Sequence, residues 1–220
     1  MARKRCQVCC KAATACICKW VSPIHNKTTV VILQHPDEVK KPLGTAKIVS
    51  LCLQESVIKV GINFENDLYL NQLIKQDING VGVLYPSDSA IELSHWLYSK
   101  ALGGADQPCS QPLSKNSNTN ASKILIVLDG TWRNVREIFN TNLFLQSLPA
   151  FKLTPTSTSN YRIRKAPFES SLSTVEAVAQ SLNILEPETS VEGMIDCFNN
   201  MIDYQISRMG NGVYQKNYIQ

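Results

Sequence analysis

Lys123-Ile124-Leu125-Ile126-Val127-Leu128, followed at once by Asp129-Gly130-Thr131-Trp132, is the stretch on which the fold turns. Five unbroken apolar residues without alternation read as a strand covered on both faces, the habit of a parallel sheet with helices above and below. Outward from it, Gly80 to Tyr85 (GVGVLY) reads as a second buried central strand. Thr28 to Leu33 (TTVVIL) is a β-branched run halted by Gln34-His35-Pro36 and reads as a third strand. Val57 to Ile62 is a fourth. Between the last two, apolar residues at 46, 48, 49, 51, 52 and 53 predict a helix over 45–53 packed on the sheet.

The C-terminal third is helical. Ser173-Thr174-Val175-Glu176 is a capping box that opens a helix to about Leu185. Pro187 is placed to start a second helix, along which Val191, Met194, Ile195, Phe198, Met201, Ile202 and Ile206 form one stripe until Gly210. That stripe is core or a dimer face, so the chain is expected as a monomer or a homodimer. The fold class is therefore α/β, a mostly parallel sheet with helices on both faces. Gly103 to Ser122 is polar and rich in Gly, Pro, Ser and Asn, which predicts a flexible surface insertion.

At 220 residues the chain suits one domain with a small appendage. Its longest apolar runs are far too short to cross a bilayer. Met1-Ala2-Arg3-Lys4-Arg5 leads straight to Cys6 without an apolar leader, which predicts a soluble cytoplasmic protein with no membrane partner. The charge is uneven. Ten Lys and Arg against three acidic residues make the first 60 residues +7, and the remainder −3. A basic end on a nearly neutral body is either a solvated face or a site for a polyanion, nucleic acid first.

Five of the eight cysteines fall between positions 6 and 18. The pattern Cys6-x2-Cys9-x6-Cys16-x-Cys18 supplies two close thiolate pairs across a short loop, enough to close a tetrahedron around a structural zinc. Cys10 could replace Cys9. The expected organisation is a zinc knuckle over 1–24 and an α/β domain over 25–220.

Asp129-Gly130-Thr131-Trp132 stands where a strand ends and a helix begins, and ligands of open α/β sheets gather there. Asp129 or Thr131 could equally cap the next helix. Leu84-Tyr85-Pro86-Ser87 ends a neighbouring strand, and Tyr161-Arg162-Ile163-Arg164-Lys165 precedes the capping box. Three loops on one sheet edge would then bring together a carboxylate, cations and an uncapped helix start.

These motifs also carry a resemblance. The Cys-x2-Cys-x6-Cys-x-Cys start, His35-Pro36-x-Glu38, Leu84-Tyr85-Pro86 and Asp129-x-Thr131-Trp132 resemble the DTW domain family in the same order. Arg164-Lys165 and Leu172-Ser173-Thr174-x-Glu176-Ala177 agree as well. These are the tRNA-uridine aminocarboxypropyltransferases. The resemblance implies a fold similar to the SPOUT methyltransferases, with a C-terminal knot holding S-adenosylmethionine. It implies transfer of that molecule's 3-amino-3-carboxypropyl group to N3 of a uridine in tRNA, releasing methylthioadenosine. A SPOUT-type tRNA methyltransferase and a non-catalytic zinc RNA-binding protein are the rival readings.

On the implied chemistry Asp129 is the candidate base. Leu84, Pro86, Asp129, Thr131, Trp132, Lys165, Ser173, Thr174 and Glu176 are the candidate S-adenosylmethionine contacts. Trp132 would pack on the adenine or the target base, or else lie in the core. The start of the 174–185 helix, or Arg164 and Lys165, would hold the carboxylate of S-adenosylmethionine; those two cations could instead meet tRNA phosphate. Arg3, Lys4, Arg5, Lys11, Lys19, Arg133, Arg136, Arg162 and Arg164 are the candidate tRNA contacts.

Overall fold

A computed structural model of the chain describes residues 4–76, 80–99, 123–154, 162–163, 172–209 and 211–218. Six strands form one sheet: β1 (Thr29–Gln34), β2 (Ser56–Val60), β3 (Val81–Leu84), β4 (Ile91–Glu92), β5 (Ile124–Asp129) and β6 (Ala150–Lys152). Their order across the sheet is β2-β1-β5-β3-β6-β4, and every adjacent pair is parallel. The apolar run at 124–128 is thus a central strand, flanked by the runs at 29–34 and 81–84. β1 and β5 are matched from Thr29↔Ile124 to Gln34↔Asp129.

Alternation along these strands sends side chains into two separate cores. Val30, Ile32, Leu125 and Val127 join one, together with α1 (Ala46–Cys52), Trp96 of α3 (Trp96–Ser99), α6 (Thr174–Leu185) and α7 (Glu192–Met209). Val31, Leu33, Ile124, Ile126 and Leu128 join the other, with α2 (Leu68–Gln76), α4 (Trp132–Thr141) and α5 (Leu143–Ser147). The expected burial of the sheet on both faces is observed. The apolar stripe on α7 is core: Met194, Phe198, Met201 and Ile202 are each at most 1% exposed.

One boundary differs from expectation. Residues 187–189 form a turn, and α7 begins only at Glu192. The buried Glu186 carboxylate explains the delay. It accepts hydrogen bonds from the amides of Lys27 and Thr28 and from the Thr189 hydroxyl, fastening this turn to the start of β1. The short strands β4 and β6 carry too few residues to show a period and escape sequence reading.

The insertion at 103–122 lies outside the described residues. So do Arg3, Arg164 and Lys165. The described residues do not trace the C-terminal knot, since 155–161 and 164–171, between β6 and α6, are outside them.

Gly82 has a packing reason to lack a side chain. A Cβ there would lie 2.4 Å from Phe151 Cε2 and 3.2 Å from Trp96 Cη2. Phe151 and Trp96 are buried and stacked at 4.6 Å, so neither ring can withdraw. Gly82→Ala is expected to destabilise the protein by about 1–3 kcal/mol. Urea unfolding checks this: a midpoint equal to that of the parent would show that the ring stack yields.

Candidate active site and metal cluster

Because all six strands run one way, their carboxyl ends share an edge, and the sequence motifs meet there. Asp129 ends β5 and is only 7% exposed. Gln34, across from it at the end of β1, donates from Nε2 to Asp129 Oδ2 at 2.7 Å. The Thr174 hydroxyl, at the first residue of α6, donates to Asp129 Oδ1. One buried carboxylate therefore ties two strands to a helix start. Hydrogen bonds from neutral donors offset its desolvation and fix the plane of the carboxyl group.

The other candidate residues differ in exposure and in local role. Leu84 is half-buried at the end of β3, and Pro86 is exposed just beyond it. Thr131 is the N-cap of α4, accepting from the Asn134 amide at 3.3 Å. Trp132 is 46% exposed, so the core placement is corrected: it is the first residue of α4, whose buried face is carried by Asn134, Val135 and Ile138. Ser173 and Glu176 form the expected capping box. The start of α6 is not an open row of donors, however. The Val175 amide bonds Thr45 Oγ, the Glu176 amide bonds Ser173 Oγ, and the Ala177 amide bonds the Ser173 carbonyl.

Two neighbours were not singled out as site residues. In the sequence Gln34 marks only a strand stop, although a polar residue closing an apolar β-branched run beside the end of another central strand is a usable signal. His35 is 5% exposed beneath α4. Its Nδ1 accepts from the Asp37 amide at 3.2 Å and meets Asn134 Nδ2 at 3.1 Å. Its Nε2 lies 3.6 Å from Glu137 Oε2. His35 thus secures the first turn of α4 against the end of β1.

Four sulfurs gather at the N-terminal end. The Sγ atoms of Cys6, Cys9, Cys16 and Cys18 all lie within 4.8 Å of one another, whereas Cys10 is exposed at φ 60° and stands apart from the group. Cys6 and Cys18 are 3.7 Å apart, and Cys9 and Cys16 3.8 Å. A tetrahedron with Zn–S bonds of about 2.3 Å has edges of about 3.8 Å, so the cluster could hold zinc with little movement. Amides of Cys9 and Val8, with the Cys16 thiol, lower the pKa of Cys6 to about 6. Burial and the neighbouring Cys16, Cys6 and Cys9 side chains push Cys18 up to about 12. Four thiols this close ionise together only around a cation.

The basic residues divide as well. Lys4, Arg5, Lys19, Arg133 and Arg136 are exposed. Arg5 donates to the Cys10 carbonyl, Lys19 lies over the Trp20 ring, and Arg162 pairs with Asp203. Lys11 departs from the expectation of a phosphate contact. It is 8% exposed, and its Nζ donates to the carbonyls of Pro42 and Gly44 at 2.7 and 3.2 Å. Burial lowers its pKa.

A family model described as the DTW domain matches residues 3–206. The chain belongs to the DTW domain family. This DTW domain is 28% identical to the tRNA-uridine aminocarboxypropyltransferase 2 of Macaca fascicularis, over 86% of this chain and 59% of the relative. It is also 28% identical to the Drosophila melanogaster protein of that name, over 93% of this chain and 76% of the relative. The tRNA-uridine aminocarboxypropyltransferase A of Arabidopsis thaliana is 23% identical, over 92% of this chain and 81% of the relative. The chain thus spans about three-fifths of the length of the macaque relative. No solved structure matches it. Among the described residues of this DTW domain, no helix is long and apolar enough to cross a membrane.

The sulfur geometry separates Cys9 from Cys10. Elemental analysis of purified protein is expected to give one zinc per chain. Cys9→Ser is expected to lose the metal and Cys10→Ser to keep it, the reverse outcome reassigning the fourth ligand.

Proposed function

We propose that this DTW domain transfers the 3-amino-3-carboxypropyl group of S-adenosylmethionine to N3 of a uridine in tRNA and releases methylthioadenosine. Family membership and the names of the relatives support the reading. The single observation that carries it is Asp129, a buried carboxylate held by Gln34 and Thr174 at the carboxyl edge of the sheet.

The chemistry asks for such a group. Uridine N3 is a weakly acidic imide and attacks poorly until its proton is withdrawn. In the proposed step N3 forms a bond to the γ-carbon, the bond from that carbon to the sulfonium sulfur breaks, and the N3 proton passes to Asp129. A positioned base of this kind contributes roughly 10²–10⁴-fold. Alignment of N3 on the γ-carbon instead of the methyl carbon decides which group moves, an effect of orientation.

Four cysteine ligands would close a zinc site and leave no position for substrate, so the zinc we assign to this cluster is structural. Exposed Lys4, Arg5 and Lys19 beside it, with Arg133 and Arg136 on α4, are the proposed phosphate contacts. Contacts of that type add affinity without reading sequence.

The by-product formed from S-adenosylmethionine and tRNA tests the reading. Methylthioadenosine is the expected product. S-adenosylhomocysteine would mean methyl transfer, and no turnover with retained tRNA binding would mean a binding module.

Asp129→Asn keeps the shape of the side chain and can still accept from one neighbour, but it cannot take the N3 proton. Turnover is expected to fall by at least about 10²-fold while S-adenosylmethionine binding stays within a few-fold. Near-full turnover in this variant would reduce Asp129 to a structural tie.

A further inference from the structure

We propose that Lys11, although it belongs to the cysteine knuckle and lies in the basic segment, is a positioning residue for the S-adenosylmethionine side of the reaction site and not a tRNA contact. The inference rests on the function proposed above. Its ammonium is committed inward. Lys11 is 8% exposed, and Nζ donates to Pro42 O at 2.7 Å and Gly44 O at 3.2 Å, across 31 and 33 residues of chain. A cation is kept at such burial only where hydrogen bonds replace water, and two backbone carbonyls do so here.

The segment it holds leads to the site. Thr45 follows Gly44 directly, is 4% exposed, and precedes α1. Its hydroxyl accepts from the Val175 amide at 3.4 Å, a long bond supported by the packing of Ala46, Ile48 and Val49 in the same core as Val175 and Val178. Val175 is the residue after Thr174, whose hydroxyl donates to Asp129. A continuous set of contacts therefore runs from the knuckle through the 42–45 loop to the first turn of α6 and the candidate base. In this arrangement Lys11 fixes the loop, the loop braces the helix start, and the helix start orients Thr174.

Lys11→Met keeps an unbranched stem of similar length and removes the ammonium. Three measurements on the zinc-loaded full chain decide the matter. Hydrogen exchange of the Val175 and Glu176 amides is expected to quicken by about tenfold, the equivalent of losing one hydrogen bond, with the α7 core amides unchanged. S-adenosylmethionine affinity by calorimetry is expected to fall by about the same factor. The log–log salt slope of tRNA binding is expected to match the parent, because a phosphate contact would lower it by about 0.7–0.9.

Unchanged exchange at 175–176 overturns the proposal, and so does a salt slope reduced by one contact. If Lys11→Met fails to fold, Thr45→Val removes the next link in a nearly isosteric way. Faster exchange at Val175 in that variant supports the proposal, and unaltered exchange refutes it. If the parent protein forms no methylthioadenosine, the function reading fails, while the exchange measurement still decides the coupling.

Discussion

Asp129 places a negative charge among apolar side chains at the end of a central strand, and the rest of the arrangement follows from keeping that charge hydrogen-bonded. Gln34 and Thr174 meet it from β1 and α6. A slip of β1 by one residue against β5 would turn Gln34 to the opposite face and leave Asp129 without that donor. Burying an unsatisfied polar group costs about 1–3 kcal/mol, and more when it is charged. The carboxylate is thus a register lock for the two central strands as well as the candidate base. Site geometry and sheet geometry are specified by the same contact.

The N-terminal knuckle is joined to the α/β body by more than chain connectivity. Cys9 and Ile17 are buried in the same cluster as α1, α6 and α7. The Tyr204 hydroxyl donates to the Thr14 carbonyl, and the rings of Trp20 and Tyr204 lie 6.2 Å apart. A metal that orders the knuckle therefore also orders one wall of that core. This places the cysteine cluster in the stability of the whole described fold, a wider role than presenting cations to RNA.

Sequence reading captured what repeats over several residues and missed what depends on three-dimensional partners. The continuous apolar runs at 29–34, 81–84 and 124–128 announced buried parallel strands, and the capping box announced the start of α6, because those signals are local. The cysteine spacing announced the cluster of four sulfurs, but only the fold could separate Cys9 from Cys10. Counting charge treats every lysine as exposed, so the burial of Lys11 on acceptors more than thirty residues away was not legible. Trp132 could be core or a stacking surface on residue type alone, and its position at the start of α4 leaves it exposed. Pro187 carried a valid helix-start signal that the tie from Glu186 to the two residues before β1 overrode.

The strand order β2-β1-β5-β3 has a consequence for how the chain is made. β1 and β3 both leave the ribosome before β5 exists, and the space between them belongs to β5. Until it arrives, two Val-rich strands expose unpaired edges that face each other across a gap. Such edges are templates for wrong pairing, within the chain or between chains. Closing Gln34 onto Asp129 joins residues 95 apart, so the central pairing bears a large loop-closure entropy and comes late in folding. The nascent protein therefore passes through a period in which its aggregation hazard is greatest at the place where its most buried strand will later sit.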